Sequence, residues 1–150
     1  MNGNKMSNDS DFITVKDFVR LLWNQFKPSS DDIKIIFHYG HLRGWLEDWD
    51  ENDSERIVDK KTCARIIHQF MKIELNISDI ENKETYSKAE VLRDLYLCRV
   101  CANHIANVFI RGIMEAEYIE TSREEVLIFN GSRSITTREA EEIIQKVFQN

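Results

Sequence analysis

Proline occurs once and glycine five times in this 150-residue chain, and basic residues are outnumbered by acidic ones, for a formal net charge of -6. Each shortage excludes something. The few glycines are scattered, and no Gly-rich phosphate-binding loop is present. A basic deficit opposes adhesion to a polyanion, because nucleic-acid binders concentrate Lys and Arg into a stripe that displaces phosphate counterions. No apolar run approaches the roughly 20 residues that span a bilayer. The opening residues lack the charged start, apolar centre and cleavage site of a signal peptide. The three cysteines cannot all pair within one chain, which points to a reducing compartment. As written the chain reads as cytoplasmic; a cell-wall or extracellular destination requires a signal that a longer precursor would carry.

What the chain does have is a reused pattern, a polar cap leading into a short amphipathic helix. The clearest copy is Ile135-Thr136-Thr137-Arg138-Glu139-Ala140, running on to Ile143, Ile144 and Val147. Related versions begin at Ile13-Thr14 and Val58-Asp59, and the two later copies are preceded at a distance by Leu42-Arg43-Gly44-Trp45 and Ile110-Arg111-Gly112-Ile113. Aligned on their caps, Phe18, Cys63 and Ala140 are equivalent, then Leu21, Ile66 and Ile143, then Leu22, Ile67 and Ile144. Spacings of three and four residues make this a core register.

Residues 1–12 are polar and read as a frayed leader, followed by a single helical domain over 13–150 with a degenerate repeat at about 13–75 and 87–150. Thr14 caps a first helix bearing Phe18, Leu21, Leu22 and Phe26, which Pro28 ends. A second, from about Asp31 to Trp45, carries Ile33, Ile36, Phe37 and Leu42 inward and stops at Gly44. The acidic run from Glu47 to Glu55 is too charged to bury and reads as a loop. The third helix, from Asp59, turns Cys63, Ile66, Ile67, Phe70 and Met71 inward. Ser87 and Glu90 offer a capping box for a helical region that bends near Asp94 and resumes from Cys98 to Met114, with Cys98, Cys101, Ile105 and Val108 or Phe109 as its stripe. Val126 to Phe129 is β-prone, ahead of an Asn130-Gly131 turn, and pairing with Arg56-Ile57-Val58 would make a minimal two-stranded ladder. The fold class is therefore all-α or nearly so, a duplicated bundle of five or six short helices.

The segment from a helix ending in Gly-Ile through Phe129-Asn130-Gly131-Ser132-Arg133-Ser134-Ile135-Thr136-Thr137-Arg138-Glu139-Ala140 and an Ile-rich helix resembles the S-layer homology domain. One unit is covered well, about Leu92 to Phe148, a second more weakly, about Ile33 to Met71, and Ile13 to Phe26 is similar to the closing helix of a preceding unit. The resemblance implies a helical bundle of several units that holds bacterial proteins on the cell wall by binding an anionic secondary polymer. That family starts its helix with Thr-Arg-Ala-Glu, whose arginine is implicated in gripping the polymer. Here the arginine position is Val15, Lys60 or Thr137, so only Lys60 stays basic. Arg138 lies one residue later, roughly 100° further round the helix.

Among candidate sites, Lys60 and Arg138 are the cations left at helix starts. Trp49, beside Trp45 and several carboxylates, is the best ring for stacking on a sugar. Cys98, Cys101 and His104 have a Cys-x2-Cys-x2-His spacing that offers zinc three soft ligands on one side of a helix. Against this, the cysteines fall in the apolar register, where free Cys packs as a small hydrophobe. A redox dithiol is the remaining reading of that pair. His38, His41 and His104 have no nucleophile placed beside them. Asp48, Asp50, Asn52 and Ser54 follow the first ligands of a calcium loop, but the sixth, eighth and twelfth positions depart from it. The expected function is thus non-catalytic binding or interaction, without a cofactor. The partner is a protein or, in the alternative, an anionic carbohydrate polymer of the cell wall.

Overall fold

The computed structural model describes residues 11–27 and 32–149. They form seven α-helices, a 3-10 turn and one small antiparallel sheet, a nearly all-α architecture. The chain divides into two units, Met1–Asp59 with Ser134–Asn150, and Lys60–Arg133. No helix among the described residues is long and apolar enough to cross a membrane.

The first unit contains α1 (Val15–Phe26), α2 (Ile33–Arg43), α3 (Asp48–Asn52) and α7 (Thr137–Gln149). Thr14 caps α1 by accepting from Asp17 N–H at 3.1 Å. Thr136 and Glu139 close a full capping box on α7: Glu139 N–H donates to Thr136 Oγ1 at 3.1 Å, and Thr136 N–H donates to Glu139 Oε1 at 2.9 Å, satisfying two otherwise orphaned donors. α1 packs on α2, α3 and α7, burying Phe18, Val19, Leu22 and Trp23 against a core that includes Ile36, Phe37, Trp45, Ile144 and Val147. Gly44 takes the left-handed conformation, φ 99°, that ends α2 without the steric cost a Cβ would bring. Leu42, expected inward, is 71 % exposed, because α2 ends one residue later and only its middle turn faces α1. Pro28 and Asp31 lie outside the described residues, as do Met1 to Ser10 of the expected leader. Asp11 and Phe12 do not fray: Asp11 O accepts from Thr137 N–H at 2.8 Å, and Phe12 forms a bridge with Thr136.

The residues just before the three capped helices close a ring of backbone hydrogen bonds. Ile13 N–H donates to Ile135 O at 3.2 Å, Ile135 N–H to Val58 O at 3.0 Å, and Val58 N–H to Ile13 O at 2.9 Å. All three side chains are buried. The segment Arg56-Ile57-Val58 spends its hydrogen bonds here, which is why it does not pair with Val126 to Phe129 as expected. That β-prone run instead forms β2 (Glu125–Ile128), antiparallel to β1 (Glu117–Glu120). A short hairpin is a lower-entropy closure than pairing with a segment some 70 residues away.

The second unit contains α4 (Lys60–Glu74), α5 (Lys83–Tyr86), the 3-10 turn Ser87–Val91, α6 (Arg99–Ile110) and the hairpin. α4 and α6 pack face to face. Cys63, Ile66, Ile67, Phe70 and Met71 are all buried, the inward set their spacing implies. Ser87 and Glu90 make no capping box; Ser87 Oγ donates to Glu84 O at 2.7 Å and the segment winds as 3-10. The chain breaks from helix around Asp94, whose carboxylate accepts from Phe129 and Asn130 N–H, both at 2.8 Å.

Candidate functional site

Of the two cations singled out as an anion grip, Lys60 is buried and Arg138 is exposed. Lys60 begins α4 and is only 3 % exposed. Its ammonium donates to Glu115 O at 2.9 Å, stands 3.8 Å from Glu117 Oε2 and lies 4.4 Å over the Phe129 ring. A buried ammonium needs such compensation, and here the protein itself supplies it. Arg138 is exposed on α7 and pairs with Glu142 at 3.7 Å one turn on, a solvated i,i+4 contact. Trp49 is 53 % exposed, with the Arg56 guanidinium 3.5 Å over its ring, so one face of the indole is already covered.

The acidic stretch around Trp49 is not a loop. Asp48–Asn52 forms α3, and Asp50 is fully buried. Asp50 accepts from Glu47 N–H at 2.8 Å and from Arg56 Nη2 at 3.1 Å, while Arg56 Nη1 donates to the carbonyls of Trp49 and Asp53, each at 3.0 Å. The charge of Asp50 is tolerated because every lone pair engaged here meets a fixed donor. The spacing of Asp48, Asp50, Asn52 and Ser54 therefore serves a helix and an internal ion pair.

The cysteines depart most from the sequence reading. Cys98 and Cys101 are joined by a disulfide, and both are half-buried. They do not belong to the core stripe, which consists of Ala102, Ile105, Ala106 and Val108 with the polar Asn107. Cys98 is the N-cap of α6, so the stripe starts a turn later than its apolar pattern implies. In the oxidised pair neither sulfur is a thiolate, the form that binds zinc. Cys63 is a free, buried thiol.

His104 is half-buried and meets His68 of α4 instead of the cysteines: the two Nδ1 atoms are 2.8 Å apart. His68 Nε2 is 2.7 Å from Asp79 Oδ1, and Lys72 and Asn103 donate to Asp79 Oδ2 at 3.3 and 3.4 Å. Burial pushes His104 down to about 4, assisted by His68 and Arg65. Burial also lowers His68, outweighing the lift from its hydrogen bond to Asp79. For Asp79, burial acts upward, but the bonds from His68, Lys72 and Asn103 win and hold it below the usual carboxylate range. Sequence reading missed this network because Asp79 sits in a polar connector with no pattern of its own. Among the described residues, no three or more His, Cys, Asp or Glu side chains are grouped as a metal ion would need.

Around the disulfide, apolar side chains are exposed together with the charged Arg99. Leu97 is 88 % and Val100 84 % exposed, with Val91 and Tyr96 more than half exposed. Cys98 also lines a cavity of about 190 Å³ with Lys61, Asp94, Leu97, Ile105 and Ser132. The geometry thus sets a reducible bond, an open recess and two bare aliphatic side chains at one end of α6. Comparison of the chain with protein-family models, with curated proteins and with solved structures finds no match.

Proposed function

We propose that this chain is a non-catalytic protein-interaction module, built on a bundle resembling the S-layer homology type, and that it docks a polypeptide on the apolar rim of the Cys98–Cys101 turn. The observation that carries this reading is the exposure of Leu97, just before that turn, and of Val100 within it. Two nearly bare aliphatic side chains beside an open recess are what a partner's apolar side chains desolvate. The alternative, an anionic wall polymer, is disfavoured by the internal commitment of Lys60 to Glu115, Glu117 and Phe129.

The test is selection of peptides from a random library on the wild-type protein, with their affinities then compared on a Leu97→Ser/Val100→Ser double variant. Loss of two apolar contacts predicts weakening of at least about tenfold. Equal affinity for both proteins rejects the surface. Cosedimentation with Gram-positive walls that disappears when the secondary polymer is stripped would restore the polymer reading instead.

A further inference from the structure

Resting on that reading of the surface, we infer that the Cys98–Cys101 disulfide is a thiol–disulfide exchange site, and that the partner it takes is a protein cysteine in an apolar segment. The bond is not needed to shape the turn. Cys101 N–H already donates to Cys98 O at 3.1 Å, as the first turn of a helix does by itself. A disulfide that joins residues three apart closes a very short loop, where cross-linking restrains the unfolded chain little. It is also half-exposed, unlike the buried thiol of Cys63.

Its position favours exchange chemistry. Cys98 is the N-cap of the twelve-residue helix α6, makes no side-chain cap hydrogen bond, and is followed by no acidic residue in the first turn. The amides of that turn and the helix dipole therefore stabilise a thiolate on either sulfur. Lys61, which donates to Ser132 Oγ at 3.4 Å, and Asp94, which accepts from the amides of Phe129 and Asn130, both line the recess with Cys98, so it carries one charge of each sign. Cys98 and not Cys101 lines the recess, which makes Cys98 the cysteine an incoming group reaches.

The step balances within the thiol pool. A partner thiolate gives its electron pair to Cys98 Sγ, forming a mixed disulfide. The Cys98–Cys101 bond breaks and its electrons leave as the Cys101 thiolate at the helix N-terminus. A second thiol of the partner then attacks the partner's own sulfur in the mixed disulfide, releasing Cys98 as a thiolate. The pair is reduced by two electrons and the partner dithiol is oxidised to a disulfide; in reverse, the reduced pair opens a partner disulfide. Leu97 and Val100 select partners whose cysteine has apolar neighbours.

The experiment uses the full chain, oxidised, with reduced glutathione and with a synthetic cysteine peptide carrying apolar flanks, and follows thiols by alkylation and mass measurement. Millimolar glutathione is expected to open the pair with the far-UV circular dichroism unchanged. With the peptide supplied as its mixed disulfide with glutathione, the Cys98 thiolate of Cys101→Ser is expected to displace glutathione and trap the peptide at least about tenfold faster than the Cys101 thiolate of Cys98→Ser does. A bond that resists glutathione, helix content lost on opening, or trapping at the two sulfurs with equal rates would each overturn the exchange site. If glutathione opens the pair but Leu97→Ser/Val100→Ser takes the apolar peptide as fast as wild type does, the docking surface fails and the exchange site stands.

Discussion

The Nδ1 atoms of His68 and His104 face each other at 2.8 Å, a distance at which one nitrogen must donate and the other accept. Asp79 Oδ1, 2.7 Å from His68 Nε2, accepts the proton of that nitrogen. His68 Nδ1 is then the acceptor, and His104 carries its proton on Nδ1. Protonating His68 at Nδ1 would set its N–H against that of His104, and burial opposes charge on both rings.

This geometry dictates a pH dependence of stability. Between 6.5, the ordinary histidine value, and about 4, where His104 titrates in the folded chain, the unfolded state binds more protons than the folded state. Stability contributed by the neutral pair is therefore full above about 6.5 and lost as pH falls toward 4. Urea midpoints measured at pH 7.5, 6 and 5 should decrease in that order. His104→Gln should flatten the decrease, and a midpoint independent of pH would contradict the arrangement.

Lys60→Ala should act on stability. It deletes a buried ammonium that donates to the Glu115 carbonyl and sits near Glu117, together with the stem packed at Phe129, at a cost of about 2–4 kcal/mol. Lys60→Met, which keeps the packed stem over Phe129, should cost about half as much. Chemical denaturation distinguishes the two, and a Lys60→Ala protein as stable as wild type would show that the ammonium is not held internally.

Asp50→Ala should be among the most damaging single changes in the first unit. It strands the Arg56 guanidinium, whose side chain is only 14 % exposed, and removes the acceptor for Glu47 N–H; breaking a buried pair in this way costs about 3–5 kcal/mol. Trp49 fluorescence should change in the same variant, because Arg56 stacks on that ring. Unaltered emission together with unaltered stability would refute the coupling.

Thr136→Ala removes one half of the capping box on α7 and should cost about 1 kcal/mol. Val58→Pro deletes the N–H that donates to Ile13 O in the backbone ring and should cost about 3 kcal/mol or more. Thermal melts that rank the two in the opposite order would mean that the ring contributes less than its local cap.

Helix starts and inward faces were legible because they are local. Thr14 and Thr136 cap where a small hydroxyl precedes an apolar period, and Phe18, Cys63 and Ala140, aligned on their caps, are all fully buried, whereas Leu21 of the next aligned set is only half-buried. The same locality misled where the outcome depends on where a helix begins or how the chain folds back on itself. Cys98 and Cys101 fit an apolar stripe, yet the helix begins at them, so the stripe that packs on α4 starts a turn later. Asp50 looks solvated until Arg56 is folded against it.

By its spacing of caps and apolar residues, the sequence alone determined a nearly all-α chain with capped amphipathic helices, since those signals act within a turn or two of helix. Only tertiary structure decided that Lys60 is consumed internally, that His68 finds His104 and Asp79, that Val126 pairs with Ile119 and not with Val58, and that a disulfide stands at an exposed helix start. The reason is physical: the availability of a charge or sulfur depends on which distant groups surround it, and no residue spacing encodes that.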